Sequence, residues 1–298
     1  MSIVFEPASR AKSKARIAVT GPSGSGKTLS SLLLAYGLTG DWNKVAIIDT
    51  EHGRARFYAE RKEYGIGKFL YQRLDPPYSP ERYIDYVTSA AQSVGEDGCV
   101  IIDSFSHAWD NEGGVLDIKD KIASRNDKNS YTAWSEAGKI QNSLVNTILS
   151  VECHTITTMR AKMAYAMEED DRGRMKPVKI GLAPVQRDNT EYEFDIVFQI
   201  DRQHNATLSK DTTFLDRWSG VIDAELGKQL GDWLNSGVEL PRCADCGKVI
   251  MSDGKRSVDQ IVTGTIKNYG RQLCMPCASA ENRRRKEAVN NAASSVSE

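Results

Sequence analysis

The stretch GPSGSGKT, Gly21–Thr28, constrains the fold of this chain more than any other part of its sequence. It matches the pattern G-x-x-x-x-G-K-[ST], and it lies between a strand-like apolar run at 15–20 and a helical pattern at 26–36. Its glycines allow successive backbone N–H groups to turn toward a phosphate, and the helix N-terminus adds a positive dipole. The sequence therefore predicts a nucleotide phosphate site, and an ordinary glycine-rich turn is the less favoured interpretation.

The sequence predicts which residues of this loop bind ATP and Mg²⁺. Those predicted to contact ATP are Gly21, Pro22, Ser23, Gly24, Ser25, Gly26, Lys27 and Thr28. Lys27 is placed to reach the β- and γ-phosphates, and the Thr28 hydroxyl is placed to bind Mg²⁺. Asp103 ends the apolar run at 99–103, where a carboxylate can hold the same ion through water. Alone, Asp103 could equally be a turn former, but beside the phosphate loop the magnesium role is favoured.

Strand-like apolar runs alternate with helical patterns along most of the chain. Predicted strands lie at 15–20, 44–49, 99–103 and 153–159, and predicted helices lie at 26–36, from 79 onward, at 133–150 and at 223–234. This alternation predicts an α/β fold with a mostly parallel sheet that is covered on both faces. The charged segment 160–185 lacks periodicity and is predicted to be a long loop. The runs 192–201 and 205–211 are predicted to form an antiparallel hairpin at the sheet edge.

The composition limits the possible partners and location of the chain. A formal net charge of −1 over 298 residues excludes a global basic field that would attract nucleic acid. The longest apolar runs are too short to span a bilayer. At the N-terminus the charged residues follow a very brief apolar piece, which is the wrong order for a signal peptide. We therefore expect a cytoplasmic protein with no membrane partner.

The six cysteines fall into two groups. Cys99 and Cys153 lie alone in apolar runs, as small core residues do. The others form two C-x-x-C pairs, namely Cys243 with Cys246 and Cys274 with Cys277. In a reducing compartment this pattern predicts a zinc-ribbon-like module with one structural Zn²⁺, and an iron–sulfur cluster or free thiols are the alternatives. This end of the chain is its most basic part, and nucleic acid and a protein remain equally open as its partner.

Glu51 follows the apolar run at 44–49, at the carboxyl end of a predicted strand. The loops that contact a ligand gather at this end of a parallel sheet. ATP hydrolysis needs a group that positions the attacking water near the γ-phosphate, and Glu51 has the right chemistry for it. For an isolated acidic pair such as Asp49 and Glu51, a solvated strand end would be the usual interpretation.

Three stretches together resemble the RecA family of recombination ATPases: GPSGSGKT, IIDTEHGR and VIIDSFSHAW. The later segment 181–201 is similar to the short RecA-like ATPases of bacteriophages, which are associated with single-strand annealing and recombination. The resemblance covers residues 15–210 and implies that Glu51 activates water, with Lys27 as the second catalytic residue. At the position of RecA's γ-phosphate-sensing glutamine this chain has Thr158, which is therefore a candidate for that role. Counterparts of RecA's flanking domains are not recognisable. A phage-encoded chain would act in the cytoplasm of a bacterial host.

The resemblance also implies contact with single-stranded DNA through the loops at 105–132 and 160–180. The DNA-binding residues expected in the second loop are Arg160, Lys162, Arg172, Arg174 and Lys176. Basic groups with an interleaved aromatic suit a site that follows the DNA backbone. The acidic run at 168–171 would repel phosphate, so a solvated surface loop is the alternative interpretation.

Assembly into a ring or filament of identical subunits is a further expectation. Arg187 could be a finger that reaches a neighbour's γ-phosphate, or it could form a salt bridge with Asp188 or Glu191. Single-stranded DNA and a single-strand-binding protein are the expected macromolecular partners.

The predicted organisation is a flexible basic arm, an ATPase domain, a linker, a zinc module and a basic to disordered tail, at 1–14, 15–236, 237–242, 243–280 and 281–298. The predicted function is a Mg²⁺-dependent ATPase that binds single-stranded DNA in phage-type recombination or annealing. The alternatives are a replication loader or motor ATPase that a protein partner switches, and a nucleotide-gated binding protein with little turnover. A small-molecule phosphotransferase is disfavoured because no arginine-rich lid is recognisable.

Overall fold

The computed structural model describes residues 3–5, 7–125, 130–169 and 175–294. The chain forms two compact units, one of residues 14–234 and one that combines residues 1–13 with 235–298. The sequence prediction assigned residues 1–14 to an arm of their own, whereas the structure groups the first thirteen with the cysteine-containing end. Within this smaller unit Ala11 and Val238 form an isolated β-bridge.

A central sheet with flanking helices makes up the larger unit. Its strands, in chain order, are β1 (Arg16–Gly21), β2 (Val45–Asp49), β3 (Leu70–Arg73), β4 (Cys99–Asp103), β5 (His154–Glu169), β6 (Met175–Pro184), β7 (Ile196–Ile200), β8 (Ala206–Asp211) and β9 (Ser219–Gly220). The helices are α1 (Lys27–Thr39), α2 (Pro80–Val94), α3 (His107–Asp110), α4 (Val115–Arg125), α5 (Ser130–Ser150) and α6 (Ala224–Asn235). Turns of 3₁₀ helix lie at Trp42–Lys44, Arg54–Tyr58, Lys62–Tyr64 and Thr190–Glu193. The smaller unit contains α7 (Val258–Tyr269) and α8 (Met275–Ser294).

The strand order is β3-β2-β4-β5-β1-β7-β8-β9, and β6 pairs with β5 outside this path. Pairing is parallel from β3 to β7 and antiparallel from β7 onward. These pairings confirm the predicted α/β fold with a mostly parallel sheet, and β7 and β8 confirm the predicted hairpin. Because β1, β2, β4 and β5 run in parallel, their carboxyl ends meet at one edge, where the phosphate loop, Glu51 and Asp103 lie.

Strands β1, β2 and β4 are buried on both faces, so they appear in the sequence as continuous apolar runs. Ile47 and Ile101 pack into a core that includes residues of α1 and α6. Ile48 and Ile102 point the other way, into a core that includes residues of α2 and α5. In the described part of the chain, no helix has the length and apolar character needed to cross a membrane.

The prediction of a loop over 160–185 was wrong for the part that the structure describes. Strand β5 continues to Glu169 and pairs antiparallel with β6, from Ala161 opposite Pro184 to Glu169 opposite Met175. Exposed lysines and methionines occur together along this hairpin, so its residues do not alternate between apolar and polar as a half-buried strand would. The sequence therefore did not predict these strands. The first strand of the β5–β6 hairpin is an extension of β5, a central strand of the sheet.

Helices α1 and α6 approach each other closely at two glycines. A Cβ atom on Gly37 would lie 2.1 Å from the carbonyl oxygen of Ala224 and 2.7 Å from the Cα of Gly227. We expect Gly37→Ala to lower the free energy of unfolding by about 1–3 kcal/mol, because the helices must separate. Urea denaturation followed by tryptophan fluorescence measures the change.

Gly138→Ala is the matched control, because its Cβ would meet only a nitrogen of Arg187, at 3.9 Å. This substitution in α5 should leave the free energy of unfolding unchanged or raise it by about 0.5–1 kcal/mol. Equal destabilisation by both substitutions would contradict the close contact between α1 and α6.

Candidate functional site

The phosphate loop joins β1 to α1 at the carboxyl edge of the sheet. Gly24 and Gly26 have φ angles of 80° and 89°, in the left-handed region that favours glycine. A Cβ on Gly21 would lie 2.6 Å from the carbonyl oxygen of Ile200, so a larger residue has no room. The buried hydroxyl of Ser25 has no hydrogen-bond partner among the described residues. This tight turn with an unpaired buried hydroxyl fits a bound phosphate.

Lys27, the first residue of α1, lies folded against the loop. Its Nζ donates hydrogen bonds to the carbonyl oxygens of Gly21 and Pro22, at 2.9 and 2.8 Å. Burial lowers the pKa of Lys27, and the nearby carboxylates of Asp103 and Glu51 oppose this effect. A phosphate would favour the charged ammonium further. Lys27 is thus placed to bind the negative charge of a nucleotide.

Thr28 and Asp103, the two predicted Mg²⁺ ligands, are in direct contact. The Thr28 hydroxyl donates to one oxygen of Asp103 at 2.6 Å, and the Thr158 hydroxyl donates to the other at 2.6 Å. Burial raises the pKa of Asp103, and these two hydrogen bonds counteract the increase. A carboxylate beside a hydroxyl is a ligand set that suits Mg²⁺.

Thr158 was predicted to sense the γ-phosphate, but the structure buries it against Asp103. It does not line the cleft beside the phosphate loop, whereas Arg160, two residues further along β5, does. Residues two apart on a strand share a face, so Thr158 and Arg160 differ in their position along β5 and not in the face that they occupy.

Asp49 organises the turn that carries Glu51. Its two carboxylate oxygens accept hydrogen bonds from the backbone N–H of Glu51 at 2.6 Å and of Ala55 at 3.0 Å. His52 and Gly53 follow with positive φ angles of 59° and 86°, which reverse the chain. The sequence did not assign this role to Asp49, although an aspartate two residues before the turn is a common turn signal.

The carboxylate of Glu51 is held by Arg160. The Nε and Nη2 atoms of Arg160 donate to the two oxygens of Glu51, each at 2.9 Å. Arg54 is a more distant cation, with its Nη1 3.9 Å from the same carboxylate. Arg160 was predicted to bind DNA, but in this structure its guanidinium forms a bidentate ion pair with Glu51, the candidate catalytic residue.

His107 lies behind Glu51 and was missed in the sequence. Its Nδ1 is 2.7 Å from the hydroxyl of Thr50, and its Nε2 is 3.9 Å from Glu51. Burial, with a further contribution from Arg160, lowers the pKa of His107 to about 4. The imidazole is therefore neutral near pH 7 and supports the Glu51 turn without adding charge.

A cleft of about 430 Å³ lies between the phosphate loop and the Glu51 turn. Its lining residues are Ser23, Gly24, Gly26, Lys27, Thr28, Glu51, Arg54, Phe57, Tyr58, Arg61, Asp103 and Arg160. The sequence prediction missed those in the 3₁₀ segment after Glu51, which add cations and aromatic rings. A nucleotide needs such groups, because cations pair with phosphates and aromatic rings stack on bases.

The remaining predicted DNA and finger residues lie outside this cleft. Lys162 on β5 and Lys176 on β6 are exposed on the β5–β6 hairpin, and Arg172 and Arg174 fall outside the described residues. The Nη1 of Arg187 donates to the side-chain oxygen of Asn142 at 3.0 Å, in a separate polar cleft beside α5. Of the residues in this group that the structure describes, Arg160 alone is brought to the candidate nucleotide site.

The four C-terminal cysteines form one cluster in the smaller unit. Their sulfur atoms all lie within 4.8 Å of one another, and those of Cys246 and Cys274 are 3.7 Å apart. Zn–S bonds of about 2.3 Å in a tetrahedron would place two sulfurs about 3.8 Å apart, so the geometry fits zinc. Helix α7 and a small core that includes Ile261 and Leu273 occupy the segment between the two pairs. The cluster could therefore bind a metal such as zinc.

Comparison with known proteins agrees with the interpretation of this cleft as a nucleotide site. No curated protein matches the chain. A family model described as an AAA domain matches residues 13–224, which include the phosphate loop, Glu51 and Asp103. The match spans most of the chain and ends close to the boundary between the two compact units. The chain therefore belongs to this AAA domain family of nucleotide-dependent P-loop ATPases.

Proposed function

We propose that this protein is a Mg²⁺-dependent, RecA-like ATPase that acts on single-stranded DNA in phage-type recombination or strand annealing. The observation that carries this proposal is the β5–β6 hairpin. It extends from β5, which pairs with both the strand before the phosphate loop and the strand that ends in Asp103. DNA that binds along the hairpin would therefore contact the extension of β5. This strand lies between β1, which precedes the phosphate loop, and β4, which ends in Asp103.

Different residues of the cleft would bind the phosphates, hold the metal ion and activate water. Lys27 and the backbone of the phosphate loop would bind the phosphates. Thr28 and Asp103 would hold Mg²⁺, which would neutralise negative charge on the phosphate oxygens. Glu51 orients water and accepts its proton, because a carboxylate at this position lies at the edge of the phosphate site. Asp49 holds the Glu51 backbone in place.

One observation favours the alternative of a loader or motor ATPase that a protein partner switches. Met163, Met167 and Met175 on the β5–β6 hairpin are 42%, 57% and 59% exposed. Methionine is common at protein-binding surfaces because its flexible side chain adapts to different partners. A single-strand-binding protein, or further copies of this chain in a ring or filament, is the partner that this alternative would involve.

Steady-state ATP hydrolysis by the zinc-replete protein of 298 residues, with and without single-stranded DNA, tests the proposal. We expect DNA to stimulate hydrolysis about tenfold, which corresponds to about 1.4 kcal/mol of coupling. Replacing Lys162 and Lys176 together with alanine should reduce this stimulation, because both side chains are exposed on the hairpin.

The matched control replaces Lys68 and Lys228, which are exposed elsewhere on the larger unit and give the same change in charge. This variant should respond to DNA as the unmodified protein does. Hydrolysis that is indifferent to DNA would reject DNA as the activator and favour the protein-switched alternative.

A further inference from the structure

Arg160 occupies the junction between the central sheet and the β5–β6 hairpin. It is opposite Gly21, the first residue of the phosphate loop, in the parallel pairing of β5 with β1. The next residue, Ala161, is the first to pair with β6. The backbone of Arg160 is hydrogen-bonded on both sides, because its N–H donates to the Ser106 hydroxyl and its carbonyl oxygen accepts from the N–H of Val185. A movement of the hairpin base would therefore displace Arg160.

The side chain of Arg160 is committed to Glu51 but remains close to the phosphate site. Its guanidinium donates to both oxygens of Glu51. The Arg160 side chain is 42% exposed, and the Glu51 side chain is 17% exposed. It lines the same cleft as Lys27, Thr28 and Asp103. The pair is thus accessible from the cleft in which the nucleotide phosphates are expected.

A guanidinium can bind either a carboxylate or a phosphate in this way. Its planar fork of N–H donors fits both anions with two parallel hydrogen bonds. The terminal phosphate of ATP carries more negative charge than the single carboxylate of Glu51 and would compete for the same donors. ADP lacks this phosphate and offers no such competitor beside Glu51.

The other cations that line the cleft are placed differently. Lys27 belongs to the phosphate loop, and Arg54 is 67% exposed on the Glu51 turn itself. Arg61 forms an ion pair with Glu63 at 2.6 Å. Among the described residues that line the cleft, Arg160 alone comes from β5, the strand that continues into the hairpin.

We infer that Arg160 is a positioning residue that exchanges Glu51 for the terminal phosphate of ATP and so couples the nucleotide to the β5–β6 hairpin. With Glu51 as its partner, the fork occupies the oxygens that would accept a proton from water. With the phosphate as its partner, Arg160 releases Glu51, and the hairpin base moves with it. This inference rests on the proposed ATPase function, because it assigns the coupling at the same site.

Nucleotide affinity provides the first test, because it does not depend on turnover. Binding of ADP and of a non-hydrolysable ATP analogue, both with Mg²⁺, is measured by calorimetry for the unmodified protein, Arg160→Ala and Arg160→Lys. We expect Arg160→Ala to weaken binding of the ATP analogue about tenfold more than binding of ADP, and Arg160→Lys to have an intermediate effect because it keeps the charge without the fork. An equal change for both nucleotides would overturn the inference.

Hydrogen exchange at the hairpin base provides the second test. In the unmodified protein the ATP analogue, but not ADP, should change exchange in segments 161–163 and 182–185. In Arg160→Ala the two nucleotides should give the same exchange. A difference between nucleotides that persists in Arg160→Ala would show that the hairpin responds by another route.

Two controls separate the possible failures. Arg160→Ala leaves Glu51 unpaired, so the binding test is repeated in a Glu51→Gln background, where the loss of discrimination between ATP and ADP must persist. Lys68→Ala removes the same charge from the surface and should keep the normal preference. If the unmodified protein binds neither nucleotide, the proposed function fails. If it binds both and Arg160→Ala retains the preference for the ATP analogue, only the exchange at Arg160 fails.

Discussion

Replacing Glu51 with glutamine is expected to reduce ATP hydrolysis by about 10²–10⁴-fold while ATP still binds, because an amide of the same shape cannot accept a proton from water. The loss corresponds to about 3–5 kcal/mol of transition-state stabilisation. The backbone of residue 51 should stay in place, because its hydrogen bond goes to Asp49 and does not involve the side chain. Single-turnover hydrolysis together with equilibrium ATP binding measures the two effects separately.

Lys27→Ala is the contrasting variant, because the Nζ of Lys27 lies on the phosphate loop itself. It should abolish ATP binding, whereas Glu51→Gln should accumulate the ATP-bound protein. If Glu51→Gln hydrolyses ATP at the normal rate, the general base lies elsewhere. His107, neutral and close to the same turn, would then be the first residue to replace.

Removal of the metal from the cysteine cluster is the second change with a large expected effect. Structural Zn²⁺ sites contribute about 10–16 kcal/mol of apparent binding free energy at pH 7, which is more than the small core of this unit can replace. We therefore expect about one Zn²⁺ per chain in the purified protein. A strong chelator should unfold the smaller unit, which limited proteolysis would detect as new cleavage sites after residue 240.

Cys277→Ser should lose the metal, because its sulfur is one of the four in the cluster. Cys153→Ala is the matched control, because this buried cysteine belongs to the core of the larger unit and should leave the zinc content unchanged. Iron and inorganic sulfide in place of zinc would identify an iron–sulfur cluster instead of a zinc site. A metal-free protein that resists proteolysis would contradict the structural role of the ion.

Long-range pairing accounts for most of what the sequence prediction missed at the site. Glu51 and Arg160 are separated by 109 positions, and their contact depends on β2, β4 and β5 lying side by side. The error over 160–185 has a related cause. A two-stranded ribbon with exposed charges is recognisable only from the register that pairs Ala161 with Pro184.

The roles of Asp49 and His107 were also not assigned from the sequence, for a different reason. Both side chains act through hydrogen bonds to neighbouring groups, which are formed only in the folded turn. Asp49 lies in the same short stretch as Glu51, and only the folded turn distinguishes the residue that holds the backbone from the one that faces the cleft.

The phosphate loop, the alternating α/β architecture and the paired cysteines could all be predicted from the sequence. Each depends on residues that are close in the chain, where backbone conformation, helix polarity and ligand spacing act locally. The folded chain was needed to show that β5 extends into a hairpin, that Thr158 supports Asp103 and that Arg160 binds Glu51. Those outcomes depend on strand order and register, because a shift of one residue would turn every side chain of β5 to the opposite face.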